Sequence, residues 1–282
     1  MQKQFYFPGL VMAVVLFTAC SNQPAADNTT ATKMDSATQM PKIKEEPVSY
    51  TAGDLTMNSF IAYDESSDKK RPGILVIPEW WGLNDYAKGR AKQLAELGYI
   101  ALAVDFYGNG KIADNPDSAG KYAMPFYKNP QMAKSHFDAA LAKLKSYAQT
   151  DTTKIAAIGY CFGGAQVLNM ARLGEDLKGV VSFHGNLVGV PADKQLLKAK
   201  ILVCHGEADQ FVKAAEVATF KKQMDSIGAD YTLKTYAGAT HAFTNPNSTA
   251  VGEKFKMPIA YNAAADTASW KEMRLFFDKI FN

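Results

Sequence analysis

Short runs of consecutive apolar residues recur along the chain and predict buried β-strands. Runs rich in β-branched residues and without polar alternation are typical of strands covered on both faces. The runs lie at residues 73–77, 99–104, 155–158, 179–183 and 201–203. Longer amphipathic stretches between them predict helices at residues 86–97, 130–148, 213–227 and 264–281. Strands alternating with helices indicate an α/β architecture, a mostly parallel, doubly wound sheet with helices on both faces.

Two earlier strands have a different pattern. Residues 48–51 and 55–63 alternate, or nearly so, between polar and apolar side chains, and they predict an antiparallel hairpin at a sheet edge. In doubly wound sheets the active site forms at the carboxyl ends of the parallel strands. The loops that follow the predicted strands are therefore where we expect catalytic residues.

The first twenty residues have the pattern of an export signal. Lys3 precedes an apolar stretch at residues 10–17, which is too short to span a bilayer comfortably. The segment ends Phe17-Thr18-Ala19-Cys20, which resembles the lipobox of bacterial lipoproteins. We expect residues 1–19 to be removed and Cys20 to carry lipid that anchors the protein in the bacterial cell envelope, facing the periplasm or the cell exterior. An ordinary signal peptide with an incidental cysteine is the alternative.

Composition separates a tether from a folded domain. Residues 20–46 contain almost no large apolar side chain and predict a flexible tether, which leaves residues 47–282 as the folded domain. Over the 282 residues, 47% are hydrophobic and 21% are charged, as in ordinary globular domains. The net charge is +3 and the basic residues are scattered, which argues against a nucleic-acid partner.

The cysteines do not predict a disulfide bond. Besides Cys20, the chain contains Cys161 and Cys204. Cys204 lies inside an apolar run, where a free cysteine packs as a small hydrophobic residue. Cys161 lies between glycines at a predicted turn, so a structural bridge between the two is the less favoured interpretation.

The turn at Cys161 has the pattern of a nucleophile elbow. Gly159-Tyr160-Cys161-Phe162-Gly163 follows a predicted strand and precedes a predicted helix at residues 165–173, which is Gly-x-Ser-x-Gly with cysteine in place of serine. Only small residues fit on either side of so tight a turn. The turn would place Cys161 at a helix N-terminus, which favours the thiolate, and would aim the Phe162 N–H at the reacting carbonyl. By itself the pattern also fits a structural cysteine.

An acid and a histidine follow in the order that this elbow requires. Asp209 comes after the strand at residues 201–203, and His241 comes after a further strand at residues 231–236. Nucleophile, acid, histidine is the chain order of α/β-hydrolases. His241 would exchange protons with the thiol and with water, while Asp209 would orient the imidazole ring. Glu207 is an alternative for the acid.

The other histidines predict structural roles. His136 falls in a helix and is expected on its solvated face, whereas His184 and His205 each end a strand and are expected to satisfy core or loop hydrogen bonds. No pair of histidines or acids has metal-ligand spacing on one helix. We expect neither a metal nor another cofactor.

Four blocks of sequence resemble the dienelactone hydrolase family. They are Pro78-Glu79-Trp80-Trp81-Gly82; Asp105-Phe106-Tyr107-Gly108; the elbow together with His205-Gly206-Glu207-Ala208-Asp209; and Thr240-His241-Ala242-Phe243. The resemblance covers nearly all of residues 47–282. It implies an α/β-hydrolase fold and a Cys161-His241-Asp209 triad that cleaves a small carboxylic ester or lactone through a thioester.

The resemblance also implies roles for the residues after the strand at 73–77. Glu79 would touch the cysteine in the resting enzyme and help to form the thiolate. The N–H of Trp80 would be the second oxyanion donor, beside that of Phe162. The side chains of Trp80 and Trp81 are equally compatible with core packing.

The chain departs from the family where the substrate carboxylate is bound. Asn109 and Asn245 stand at the places of two arginines, and a neutral amide cannot give the bidentate, charge-assisted grip of arginine. We therefore expect dienelactone to be a poor substrate. A neutral or differently charged ester or lactone, admitted past Tyr107, Trp81 and Phe243, is favoured. Lys111 could restore positive charge, although it also fits an ordinary solvated loop residue in the segment 108–129 that sets specificity.

Two other functions remain compatible with the sequence. One is a non-catalytic binding or envelope-associated lipoprotein on the same fold, since a fold does not determine a function. The other is a redox-active or peroxide-sensing thiol at Cys161. The sequence leaves the oligomeric state open.

Overall fold

The structure of the protein is a computed structural model that describes Met1 and residues 41–282. The lipidation site Cys20, nearly all of the predicted signal peptide and most of the predicted tether lie outside the described residues. Within the described part, none of the helices is both long enough and apolar enough to cross a membrane.

One eight-stranded sheet forms the centre of the described domain. Its order is β1-β2-β4-β3-β5-β6-β7-β8. The strands are β1 (Ile43–Ala52), β2 (Leu55–Asp64), β3 (Arg71–Ile77), β4 (Ile100–Ala103), β5 (Thr150–Tyr160), β6 (Gly179–Phe183), β7 (Lys200–Gly206) and β8 (Tyr231–Tyr236). Strands β3 to β8 run parallel, and β2 is antiparallel to β4. The predicted α/β class with a mostly parallel sheet is confirmed.

The predicted edge hairpin is also present, but it starts earlier than expected. Strands β1 and β2 pair antiparallel through a two-residue turn in which Gly53 has a φ of 58°. The pairing extends back to Ile43, opposite Asp64, so the fold includes residues that we assigned to the tether, and the boundary at Pro47 was wrong. The physical reason is that an edge strand needs few buried residues: in β1 only Val48 is buried, so the segment lacks the apolar pattern of a strand.

Seven helices cover the sheet in the described residues. They are α1 (Asp85–Glu96), α2 (Pro116–Lys128), α3 (Pro130–Lys145), α4 (Phe162–Arg172), α5 (Ala214–Ile227), α6 (Ser248–Phe255) and α7 (Ala263–Phe281). The helices α1, α3, α4, α5 and α7 follow the predicted segments. The helices α2 and α6 were not predicted.

The helices pack as two layers. Buried residues of α1 and α7, among them Leu94 and Phe277, form one apolar core against the sheet. Buried residues of α3, α4 and α5, among them Phe137, Val167 and Phe220, form the other. Because both faces are covered, the buried residues of the central strands are mostly apolar, and the loops at their carboxyl ends are where polar groups can reach a cavity.

Candidate active site

The turn between β5 and α4 holds Cys161 in a strained backbone conformation. Its φ is 52° and its ψ is −113°, a region that residues with a side chain rarely adopt. The glycines on either side make the turn possible. A Cβ on Gly159 would collide with the backbone carbonyl of Gly163, and one on Gly163 would collide with that of Ile77. The conformation therefore depends on these small residues.

His184 stabilises the strained turn through a hydrogen bond with the backbone of Cys161. The Cys161 N–H donates to the Phe183 carbonyl at 2.9 Å and also to Nδ1 of His184 at 3.1 Å. Burial holds the pKa of His184 well below its ordinary value, so the ring is neutral. With Nδ1 accepting, Nε2–H donates to the Thr244 hydroxyl at 2.7 Å. The expected hydrogen-bonding role of His184 is thus observed, and its φ of 42° places a second strained residue beside Cys161.

Asp209 and His241 form a buried pair. Nδ1 of His241, in the loop after β8, lies 2.8 Å from Oδ2 of Asp209, in the loop after β7. Oδ1 of Asp209 accepts the N–H groups of Phe211 at 2.8 Å and Val212 at 3.0 Å. Although burial alone would raise the pKa of Asp209, these bonds hold it below its ordinary value. Glu207, the alternative acid, is exposed.

The charges around His241 favour its protonated form. Burial alone would lower its pKa, but negative charge on the Cys161 sulfur, together with the bond to Asp209, raises the pKa to about 10. Since Nδ1 is engaged by Asp209, Nε2 is the nitrogen available to the sulfur. The pair can therefore support a thiolate beside an imidazolium.

Glu79 is buried directly after β3. Its side chain faces the same pocket as Cys161 and His241. Burial raises the pKa of Glu79 to about 7, against the opposing effect of a 2.6 Å hydrogen bond from Nδ2 of Asn245. Near neutral pH this carboxyl group can therefore gain or lose a proton.

These residues surround one pocket of about 420 Å³. The pocket brings together Cys161, His241, Glu79, Trp80 and Trp81, all of which were singled out from the sequence. Its lining is Glu79, Trp80, Trp81, Gly120, Ala123, Met124, Tyr127, Cys161, Asn186, Val188, Phe211, His241, Ala242, Met257 and Ile259. The pocket lies at the carboxyl ends of the parallel strands, as expected for this class of sheet.

The two residues expected to supply oxyanion donors, Phe162 and Trp80, lie next to Cys161 in the chain and in the pocket lining, respectively. Phe162 is the first residue of α4, so its N–H has no acceptor within the helix. Trp80 lines the pocket, and the hydroxyl of Tyr107 donates to its carbonyl oxygen at 2.9 Å. That hydrogen bond restrains the peptide segment around Trp80.

Two predicted substrate-contacting aromatic residues lie outside the pocket. Tyr107 is 4% exposed, and its ring packs against Tyr122 and Phe162. Phe243 is fully buried, with its ring 5.3 Å from that of His184. The prediction of substrate contact was wrong for both side chains, because each ring is taken up by core packing. Of the three aromatic residues predicted to contact substrate, Tyr107, Trp81 and Phe243, only Trp81 lines the pocket.

The two asparagines at the arginine positions also do not line the pocket. Asn109 is exposed and bonded to β2: its N–H donates to the Thr56 carbonyl at 2.6 Å, and its Oδ1 accepts the Thr56 N–H at 3.3 Å. Asn245 is buried and donates to Glu79. The expectation that these two residues meet substrate is corrected: short polar side chains satisfy neighbouring groups instead. Lys111 is exposed, as its ordinary interpretation requires.

Sequence reasoning missed the helix that supplies one wall of the pocket. The residues Gly120, Ala123, Met124 and Tyr127 of α2 follow the i, i+3, i+4, i+7 spacing of one helix face. Asn115 caps this helix by accepting the Ser118 N–H, and Pro116 is its first residue. These start signals were available, but Pro125 inside the helix obscured them.

Several smaller predictions can be compared with the structure. His136 is buried, not solvated, and its Nδ1 lies 2.9 Å from the Phe106 carbonyl oxygen, so that prediction was wrong. His205 is buried at the end of β7. Cys161 and Cys204 are both free thiols. Among residues 41–282, no group of three or more His, Cys, Asp and Glu side chains is arranged to hold a metal ion.

An aromatic cluster joins the elbow to the helix α2. The ring of Phe162 lies 5.5 Å from those of Phe106 and Tyr127, and 6.0 Å from that of Phe126. The rings of Phe106 and Phe126 are themselves 5.2 Å apart. Phe162, the residue after Cys161, and the pocket wall therefore belong to one packed unit.

The parallel sheet, the strained elbow after β5 and the later acid and histidine loops define the class as an α/β-hydrolase. The chain belongs to the dienelactone hydrolase family, whose model matches residues 57–281. It is accordingly a hydrolase of the carboxylic ester or lactone type.

Relatives in sequence and in structure agree with this family. The chain is 35% identical to Protein usf of Aquifex pyrophilus over 197 residues, which is 68% of this chain and 84% of the relative. It is similar to the crystal structure of P91, a dienelactone hydrolase-like promiscuous phosphotriesterase from metagenomic libraries, with 33% identity and a TM-score of 0.79 over 84% of this chain and 98% of that one. A structure named m3DLH is also 33% identical, with a TM-score of 0.81 over 85% and 99% of the two chains.

Proposed function

We propose that the protein hydrolyses small carboxylic esters or lactones with Cys161 as the nucleophile. The observation that carries this proposal is that a strained, glycine-flanked cysteine and a histidine bound to a buried aspartate line one pocket. Outside the α/β-hydrolase mechanism, neither the cost of the Cys161 backbone conformation nor the burial of the Asp209–His241 pair has an evident purpose.

The reaction follows from the positions of the groups. The Cys161 sulfur attacks the carbonyl carbon, while its proton passes to Nε2 of His241. The resulting imidazolium is stabilised by Asp209 and returns the proton to the leaving alkoxide, which departs as an alcohol and leaves a thioester on Cys161. Water then attacks the thioester with His241 as base, which releases the acid and restores the thiol. In a lactone the alcohol and the acid are two ends of one product.

Backbone N–H groups at the two positions named from the sequence are suited to the developing negative charge. We assign the backbone N–H groups of Phe162 and Trp80 to the oxyanion of both tetrahedral intermediates. The hydrogen bond from Tyr107 to the Trp80 carbonyl would limit motion of the second donor.

Glu79 would control the ionisation of the thiol. A carboxylate with a pKa of about 7, buried in the same pocket, can accept the thiol proton first and pass it to His241. The carboxylate is then restored, and the His241 imidazolium holds the proton that the leaving alkoxide receives.

The decisive experiment follows the thioester. The domain at residues 41–282 is mixed with p-nitrophenyl acetate, and the reaction is stopped with acid. The mass of the intact protein is then measured by mass spectrometry. We expect the unaltered protein to gain the mass of one acetyl group. In Cys161→Ala both the added acetyl group and the turnover of the ester should be absent. Unchanged turnover in Cys161→Ala would overturn the proposal.

The same variants separate the other functions. A binding protein would show no turnover in the unaltered chain. A peroxide-sensing thiol would be oxidised equally fast after Asp209→Asn, because it does not need the His241 pair.

We propose further that the protein is a lipoprotein of the bacterial cell envelope. The support is the sequence Phe17-Thr18-Ala19-Cys20 after an apolar stretch, which lies outside the described residues. Expression of the full chain in a bacterium with a radiolabelled fatty acid should label the protein. In Cys20→Ser the label and the membrane association should both be lost; retention of label would contradict the proposal.

A further inference from the structure

The mouth of the pocket carries exposed apolar side chains. Met124, Val188 and Phe211 all line the pocket, yet they are 48%, 58% and 44% exposed. Water-exposed apolar side chains are ordinary when scattered, but a group around a concave site is characteristic of a ligand-binding surface. We call these three side chains the apolar rim.

The rim is built from three separate parts of the fold. Met124 lies on α2, Val188 lies in the loop after β6, and Phe211 lies in the loop after β7. Because the three side chains come from distant segments of the chain, one exposed helix face cannot account for their grouping.

The loop positions of the rim are held by two carboxylates, of which Asp209 is buried and Glu216 is half-buried. Oε1 of Glu216 accepts the N–H groups of Leu187 at 2.5 Å and Val188 at 3.2 Å. Oδ1 of Asp209 accepts the Phe211 N–H at 2.8 Å, and the Phe211 ring lies 5.1 Å from that of His241. The backbone of the two loop positions is therefore held in place, and Phe211 lies against the proposed catalytic pair.

Among residues 41–282, the pocket offers no Lys or Arg to a charged substrate, and its one cationic group, His241, is already paired with Asp209. None of its lining residues within the described part of the chain is Lys or Arg, and Glu79 is its acid. A substrate carboxylate would lose its hydration without gaining an unpaired cationic partner, and it would be repelled by the Glu79 carboxylate. An uncharged group loses little hydration free energy when it enters such a site.

We propose that the substrate is an uncharged ester with an apolar chain, and that the apolar rim determines this specificity by packing against the chain. The inference rests on the proposed function of Cys161. The reacting carbonyl would lie at the sulfur and the N–H of Phe162, and the chain would extend over Met124, Val188 and Phe211. Each methylene removed from water by such a surface strengthens transition-state binding in proportion to the area covered.

The first test is a chain-length series. Values of kcat/KM are measured at submicellar concentrations for p-nitrophenyl acetate, butyrate, hexanoate and octanoate, and for acetate esters of alcohols of matching length. We expect about a 16-fold rise from the two-carbon to the six-carbon member in at least one series, since partial contact is worth about twofold for each of the four added methylenes. Flat profiles in both series would overturn the inference.

The second test alters the rim. In the double variant Met124→Ser/Phe211→Ser, the long-to-short ratio of kcat/KM should fall at least fivefold. The matched control is Leu275→Ser, which removes a 53% exposed side chain on α7 outside the pocket and should leave the ratio unchanged. The ratio is the readout because Phe211 also contacts His241, so absolute rates can fall for another reason. An unchanged ratio in the double variant would show that the chain binds elsewhere and would overturn the inference.

The third test concerns charge. The p-nitrophenyl ester of succinate is compared with that of monomethyl succinate at pH 8, where the free carboxyl is ionised. We expect kcat/KM to be at least tenfold lower for the charged ester; equal values would overturn the inference. If Cys161→Ala abolishes turnover while these profiles are flat, only the substrate class is wrong. If Cys161→Ala retains turnover, the proposed function fails first.

Discussion

Nδ2 of Asn245 donates a hydrogen bond of 2.6 Å to Oε2 of Glu79, and both side chains are buried. The two residues lie 166 positions apart in the chain, so the loop after β8 directly controls an acid after β3. Because the donor is a neutral amide, it lowers the pKa of Glu79 without neutralising its charge, and burial keeps the pKa at about 7.

Loss of this amide should raise the pKa of Glu79 further. In Asn245→Ala the carboxylate loses a donor in a site that is already desolvated, so we expect the acidic limb of the profile of kcat/KM against pH to move to higher pH. The measurement is that profile for an uncharged ester, with Gln93→Ala as a control at a polar residue outside the pocket. An acidic limb that stays in place would show that Glu79 does not control the profile.

Glu79 should make stability depend on pH with a definite sign. The ordinary pKa of 4.5 applies to the unfolded chain, and the folded value is about 7, so between these values the unfolded chain releases a proton that the folded protein keeps. Stability therefore falls as pH rises through this window. The Glu79→Gln variant lacks this ionisable group. The difference in free energy of unfolding, variant minus unaltered protein, should therefore increase by about 2 to 3 kcal/mol between pH 5 and pH 8. Urea unfolding at both pH values measures this; an equal difference at both would contradict the prediction.

The bond between Asp209 and His241 should matter for rate far more than for folding. In Asp209→Asn the ring loses its negative partner, which lowers the pKa of His241 and permits the wrong tautomer. We expect kcat to fall about 10³- to 10⁴-fold, as for other triads in which the acid becomes an amide. Glu207→Gln is the matched control, since Glu207 is exposed and two residues away. A comparable loss in Glu207→Gln would assign the acid to the other carboxylate.

Replacement of Cys161 should reveal the free-energy cost of its backbone conformation. Cys161→Gly relieves the strain at a φ of 52°, worth about 1 to 3 kcal/mol, against about 0.5 to 1 kcal/mol of extra chain entropy. We therefore expect Cys161→Gly to be about 1 kcal/mol more stable than Cys161→Ala, although both lack the sulfur. Urea unfolding of the two variants is the measurement, and a less stable glycine variant would refute stored strain.

Two glycines should respond to alanine in opposite ways. A Cβ on Gly89, which is exposed in α1, meets no atom within 4 Å, so Gly89→Ala should raise the free energy of unfolding by about 1 kcal/mol. A Cβ on Gly159 collides with the Gly163 carbonyl, so Gly159→Ala should lower it by about 3 kcal/mol. Thermal unfolding of both variants tests the contrast.

The sequence was most informative where one local rule determines the structure. Apolar runs predicted the central strands, and the spacing around Cys161 predicted a strand, a tight turn and a helix, all of which the structure contains. Asp209 and His241 were found because chain order in this fold places their loops at one end of the sheet, and the structure brings them within 2.8 Å.

Side-chain direction was beyond the reach of these rules. Tyr107 and Phe243 follow strands in the expected places, but their rings point into the core. Asn245 occupies a position predicted to meet substrate and bonds to Glu79 instead. Such outcomes depend on which neighbours fill the remaining space, and sequence spacing carries no information about that.

The aromatic cluster around Phe162 limits how the enzyme can acquire new substrates during evolution. Substitutions that reshape α2 at Phe126 or Tyr127 would also disturb the ring of Phe162, which follows the turn at Cys161. Changes at Met124, which projects from the same helix with nearly half of its surface in water, carry no such penalty. Divergence of specificity among descendants of this protein should therefore accumulate at the mouth, while the aromatic residues behind it stay as they are.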